Sequence, residues 1–200
     1  RTPMSDINPF ILIAALFGVT LWHELGNMAA ARWLGVPVVN LYVGLGPVLW
    51  RRKLHHSSTL VLRSFPLGMS VAIPSRRALN GEARRPYSYD LWIAAAGHCA
   101  SFLLTLLLFA VARWFPIPYE WAYGLVGVGL LSTAIALLNL LPIPGLDGGH
   151  LIMVCAARKG WEMSPEQELR LQRASIKGIV IICLVPFIYS LWTQLIFMLK

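Results

Sequence analysis

Apolar residues along this chain gather into runs too long for strands or for one face of a surface helix. Leu91–Val111, Trp121–Leu141 and Gly178–Leu199 are almost unbroken, and runs of about 18 or more read as membrane spans. A further run covers Pro9–Trp22 and continues, through a polar interruption, as His23–Trp33. This pattern predicts helices over about residues 9–33, 91–113, 121–142 and 178–199. The first extends past the length of a signal peptide and has no small-residue cleavage site, so it reads as a span retained in the chain.

The stretch after the first helix has a different period. Gly35 to Trp50 is β-branched and punctuated by Gly and Pro, which suits strands. Arg51–Ser58 reads as a polar turn, and Thr59–Arg63 and Ser70–Ile73 as further short strands, giving a β region over about residues 36–73. Unpaired backbone cannot face lipid, so such a sheet lies at the membrane surface or is shielded by the bundle. Its edge serves either to pair with an extended peptide or simply to plug the bundle. Arg76–Tyr89 is basic and loop-like, Arg113–Glu120 is a short link with two prolines, and Gly160–Lys177 reads as a short amphipathic helix. The predicted fold is an all-α polytopic membrane bundle of four transmembrane helices, with a small membrane-associated β-sheet on the cytoplasmic side. It is read as a single domain over residues 1–200.

Composition supports a membrane protein: 57% of residues are hydrophobic, 13% are charged and mean hydropathy is +0.64. The net charge of +8 invites a nucleic-acid reading, and its placement argues against one. Of 17 Lys and Arg residues, eight lie in Gly35–Asp90 and five in Ala156–Lys177, with Arg32 at the end of the first helix. Four spans put those two loops on one side, and the positive-inside rule makes that side cytoplasmic, with both termini outside. Cys99, Cys155 and Cys183 have no C-x-x-C spacing and lie in or near apolar helices. They read as buried thiols rather than a disulfide framework.

Ionisable residues inside apolar spans are functional candidates. His23-Glu24-Leu25-Gly26-Asn27 is one residue short of His-Glu-x-x-His, in which two histidines on one helical face hold zinc and the glutamate activates water. Downstream, Asn139-Leu-Leu-Pro-Ile-Pro-Gly-Leu-Asp147-Gly-Gly-His150 breaks a helix and presents a carboxylate. His23 and Asp147 are candidate ligands, Glu24 a candidate general base, and Asn139 a donor to a developing oxyanion.

These two motifs resemble those of the site-2 protease family of intramembrane zinc metalloproteases. His23–Asn27 matches His-Glu-x-Gly-His except at its last position, and Asn139–Gly149 matches the Asn-x-x-Pro-x-Pro-x-Leu-Asp-Gly-Gly element in full. Gly44-Leu-Gly-Pro47 and Phe65-Pro-Leu-Gly-Met69 are similar to the family's membrane-associated strands, and Ala94–Ser101 to its Ala-Gly-Pro-x-Ala-Asn stretch. The resemblance implies a Zn2+ cofactor, a lipid bilayer setting and cleavage of a transmembrane protein substrate near the cytoplasmic side. With no outer domain in Arg113–Glu120, substrate selection falls to the bundle, the strands or a regulatory partner chain.

Two departures stand out. Asn27 occupies the position of the second histidine ligand, and a carboxamide oxygen is a poor zinc donor beside imidazole. His98 occupies the family's proline position and Ser101 its asparagine position. Three outcomes follow: Asn27 coordinates weakly, His98 enters from the second helix as ligand, or the site is metal-poor. In the first two the chain is a zinc metalloendopeptidase. In the third it is a catalytically impaired pseudoprotease that binds membrane-protein clients. A channel or transporter is the weakest reading, because the other helices lack an ionisable lining.

Overall fold

The computed structural model describes residues 9–54, 58–74, 85–161, 163–164, 166–175, 177–178 and 192. Among them the elements run α1 (Pro9–Trp33), β1 (Asn40–Lys53), β2 (Thr59–Ala72), α2 (Tyr87–Trp114), α3 (Tyr119–Asn139) and α4 (Asp147–Arg158). The predicted helix at 178–199 lies almost wholly outside the described residues. The chain divides into two compact units, Arg1–Asn139 and Leu140–Lys200.

In the first unit, α1, α2 and α3 are each long and apolar enough to cross a membrane. The 28 residues of α2 span roughly 42 Å at about 1.5 Å per residue, against an apolar bilayer core about 30 Å thick. α2 packs against both α1 and α3, and α1 also lies on β2. The side-chain distribution on α2 is the inverse of a water-soluble helix. Its buried positions include Asp90, Ala94, Gly97, Ser101 and Thr105, spaced three or four apart along one face, with His98 beside them. Trp92, Leu103, Leu106 and Leu107 point outward and are exposed. Lipid solvates large apolar side chains as well as a protein core does, so helix contacts fall to small and polar residues. Gly26 of α1 meets α2 closely: a Cβ there would lie 2.7 Å from the Ala100 Cβ and 2.8 Å from the Ala96 carbonyl.

The outward setting also corrects the reading of the thiols. Cys99 and Cys155 are exposed. Cys99 follows buried His98, and successive helical residues point about 100° apart, so the ring faces in and the thiol faces out.

The sheet is more folded than two strands suggest. Asn40–Val43 pairs in parallel with Thr59–Leu62, with residue numbers rising together. The same four residues pair in falling order with Ala72–Met69, and Val48–Lys53 pairs in falling order with Arg63–Thr59. Each named strand is therefore two segments, and the four segments form one mixed sheet in which 59–63 and 40–43 are central. β1 bends where Gly44 and Gly46 take φ of 86° and 88°, a left-handed conformation that costs glycine little. Arg51–Lys53, expected as the start of a turn, continues the strand because the backbone finds partners in Thr59–Val61. Helix α2 also starts earlier than expected, within the predicted basic loop. There Arg85 forms a buried ion pair with Asp90 at 2.6 Å and donates to the Pro74 carbonyl at 2.7 Å.

The second unit contains an element absent from the sequence-based expectation. Helix α4 follows the Pro-Ile-Pro-Gly break, with Asp147 in its first turn, where a carboxylate interacts favourably with the helix dipole. A Cβ on Gly148 would overlap the Leu140 and Leu141 carbonyls, and one on Gly149 the Ile143 carbonyl. The paired glycines let residues 140–143 fold back against the start of α4. In the predicted amphipathic segment, residues 166–175 are helical. The Ser164 N–H donates to Gln167 Oε1 at 2.9 Å and the Gln167 N–H to Ser164 Oγ at 3.2 Å, a reciprocal capping box.

Candidate metal centre

His23 and His98 are brought together by the packing of α1 on α2. Both are buried, at 1% and 7% exposure, with ring centroids 5.0 Å apart and planes at 77°. A ring nitrogen of each lies within 4.8 Å of the other.

The Nδ1 nitrogen of each ring is held. His98 Nδ1 is 2.8 Å from the Ala94 carbonyl. A carbonyl can only accept, so Nδ1 carries a proton and donates it. His23 Nδ1 is 2.9 Å from Ser101 Oγ, and Nε2 lies 3.5 Å from Asn139 Nδ2. That last separation is long for a hydrogen bond but places the end of α3 beside the imidazole. Metal-binding histidines are oriented in this way, with one nitrogen fixed by an oxygen.

Glycine preserves the space around His23. A Cβ on Gly97 would lie 2.7 Å from His23 Nε2 and would overlap the Asn27 carboxamide. Asn27 is buried, and its Oδ1 accepts the Gly97 N–H at 2.8 Å. The Asn27 oxygen is thus engaged with the α2 backbone. Glu24, the next residue after His23, is half-buried, and its Oε2 accepts the Val71 N–H at 3.1 Å. Two buried imidazoles with Nδ1 fixed form a donor set that suits zinc.

The first unit therefore gathers His23, Glu24, Asn27, His98 and Asn139, all candidates from the sequence. Asp147 opens α4 in the second unit. The sequence reading did not assign roles to Ser101, Gly97 or the Val71 N–H. Ser101 alone carried a signal, as a small polar residue three positions after His98 in an apolar helix.

Residues 11–123 match the family model "Peptidase family M50". This chain belongs to peptidase family M50, the site-2 proteases. Among its relatives in that family, a Mycolicibacterium smegmatis protein bearing the inferred name zinc metalloprotease Rip2 is 29% identical over 159 residues, or 73% of this chain. The chain spans 58% of that relative's length. A Nostoc protein, also named by inference as a zinc metalloprotease, is 42% identical over 62 residues, covering 31% of this chain and 17% of its own. The site-2 protease from Methanocaldococcus jannaschii shares the fold, with a TM-score of 0.61, 21% identity, and coverage of 93% of this chain and 71% of that one. The chain is an integral, multi-pass membrane protein.

Proposed function

We propose that this chain is a zinc-dependent intramembrane endopeptidase that cleaves transmembrane segments of other proteins. The carrying observation is the pairing, between α1 and α2, of the buried His23 and His98 rings at 5.0 Å, with Glu24 adjoining His23 in sequence. His23 is one metal ligand, and the family motif adds Asp147 as another. Zinc, when bound, supplies a Lewis acid that polarises water and the scissile carbonyl.

The remaining chemistry belongs to the chain. Glu24 takes the proton of the attacking water and returns it to the leaving amine. The Asn139 carboxamide, whose Nδ2 lies 3.5 Å from His23 Nε2, donates to the carbonyl oxygen as negative charge develops there. The substrate must enter extended, because a helix hides its carbonyls in internal hydrogen bonds. Among the described residues, segment 69–72 pairs with 40–43 alone, leaving its other side as a sheet edge. Val71 directs its N–H from that edge to Glu24. An extended peptide added there by strand pairing lies within reach of the base. The basic loops face the cytoplasm and both termini face outward.

The test uses purified protein in liposomes with a model single-span substrate. Cleavage that stops on zinc chelation, returns with zinc and is absent from Glu24→Gln is the expected result. Purified protein that binds such a segment but cleaves none in the presence of zinc supports instead a client-binding pseudoprotease, the reading that Asn27 motivates.

A further inference from the structure

We infer that the metal ligand missing from α1 has moved to α2: His98 coordinates zinc in place of residue 27, and Asn27 has become an interhelical clamp. The inference deepens the proposed protease reading and rests on it.

Asn27 Oδ1 accepts the Gly97 N–H at 2.8 Å. Turning that oxygen toward a metal would strip a buried backbone N–H of its partner, leaving an unsatisfied donor in the interior. The exchange yields only a neutral oxygen, a weak zinc ligand. The His98 Nδ1 proton is directed to the Ala94 carbonyl at 2.8 Å, so Nε2 is the nitrogen that would face a metal. The ring already stands edge-on to His23, and a ring nitrogen of each lies within 4.8 Å of the other. Two zinc-bound nitrogens sit about 3.3 Å apart at Zn–N distances of 2.0–2.1 Å and tetrahedral angles, so metal binding would draw the two rings closer together.

The clamp and the ligand depend on each other. Gly97 directly precedes His98, so the Asn27 bond fixes the α2 backbone at the residue before the imidazole. Gly97 also lacks the Cβ that would crowd His23 Nε2. An asparagine at 27 and a histidine at 98 thus form one arrangement rather than two independent departures.

Zinc X-ray absorption on the full-length wild-type protein, with elemental analysis, provides the test. One zinc per chain and two imidazole scatterers are expected. His98→Gln should lose one imidazole and weaken zinc binding at least about 100-fold, beyond the 10–100-fold that an outer-shell partner contributes. Asn27→Ala should keep both imidazoles and lose no more than that outer-shell amount. A single imidazole in the wild-type protein overturns the inference without reference to any variant. Two imidazoles that persist in His98→Gln overturn it as well. Either result leaves the protease reading standing provided zinc is bound, whereas wild-type protein that binds no zinc overturns both.

Discussion

The Glu24 carboxylate accepts the backbone N–H of Val71 at 3.1 Å, joining α1 to the edge of the sheet. A side chain within a membrane helix is therefore positioned by backbone 47 residues away in sequence. In the proposed mechanism this bond aims the base along the edge where an extended substrate would lie. Glu24→Gln keeps an oxygen for Val71 and loses basicity. It should fold and retain zinc while cleavage falls by more than the roughly 10²–10⁴-fold typical of an acid–base residue. Zinc analysis beside a cleavage assay checks this, and an undiminished rate would refute the assignment.

Gly97→Ala tests the close approach of α1 and α2. The added methyl has Asn27 and His23 Nε2 within its volume, and overpacking of this kind costs about 1–3 kcal/mol. Thermal unfolding in detergent should show lower stability, and zinc affinity should fall because the His23 ring is displaced. A variant with wild-type stability and metal content would show that the helices can separate freely.

Asn139→Ala should separate metal binding from turnover. Its carboxamide lies by His23 but has no ligand role here, so zinc stays bound while kcat drops about 10²–10³-fold, as on loss of an oxyanion donor. Zinc lost in parallel with activity would assign Asn139 to the metal instead.

Arg85→Met should destabilise the chain. The pair with Asp90 is buried, at 7% and 0% side-chain exposure, and removing one partner of such a pair costs about 3–5 kcal/mol. The Arg85 bond to the Pro74 carbonyl is lost too. Unfolding temperatures of Arg85→Met and of Arg85→Met/Asp90→Asn measure the effect. The double variant should recover part of the loss, because the buried charge is then gone.

Topology can be read by labelling. Arg32 and the two loops hold 14 of 17 basic residues, so a single cysteine at position 53, in a background lacking Cys99, Cys155 and Cys183, should react only with reagents reaching the cytoplasmic side. Labelling from outside alone would invert the orientation.

Periodicity and the two motifs sufficed to locate the described spans, since a run of apolar residues as long as a bilayer is thick is legible without knowing its neighbours. The α1 boundaries, Pro9–Trp33, coincide with the expectation, and α2 and α3 lie within a few residues of theirs. The β region was visible as β-branched sequence, but the doubling of each strand was not. Pairing depends on residues far apart in sequence, and the left-handed turns at Gly44 and Gly46 gave only a local hint of it. Helix α4 was hidden because its first residues, Asp-Gly-Gly, are poor helix formers.

The same division runs through the site. The sequence alone determined that His23 and Glu24 sit together on one helix and that a histidine is missing four residues later, because helical spacing fixes which residues share a face. It could not determine how α1 rotates against α2, since that register depends on where small residues such as Gly26 and Gly97 permit close approach. Only the tertiary structure decided that Asn27 turns its oxygen to the Gly97 N–H while His98 turns its ring to His23.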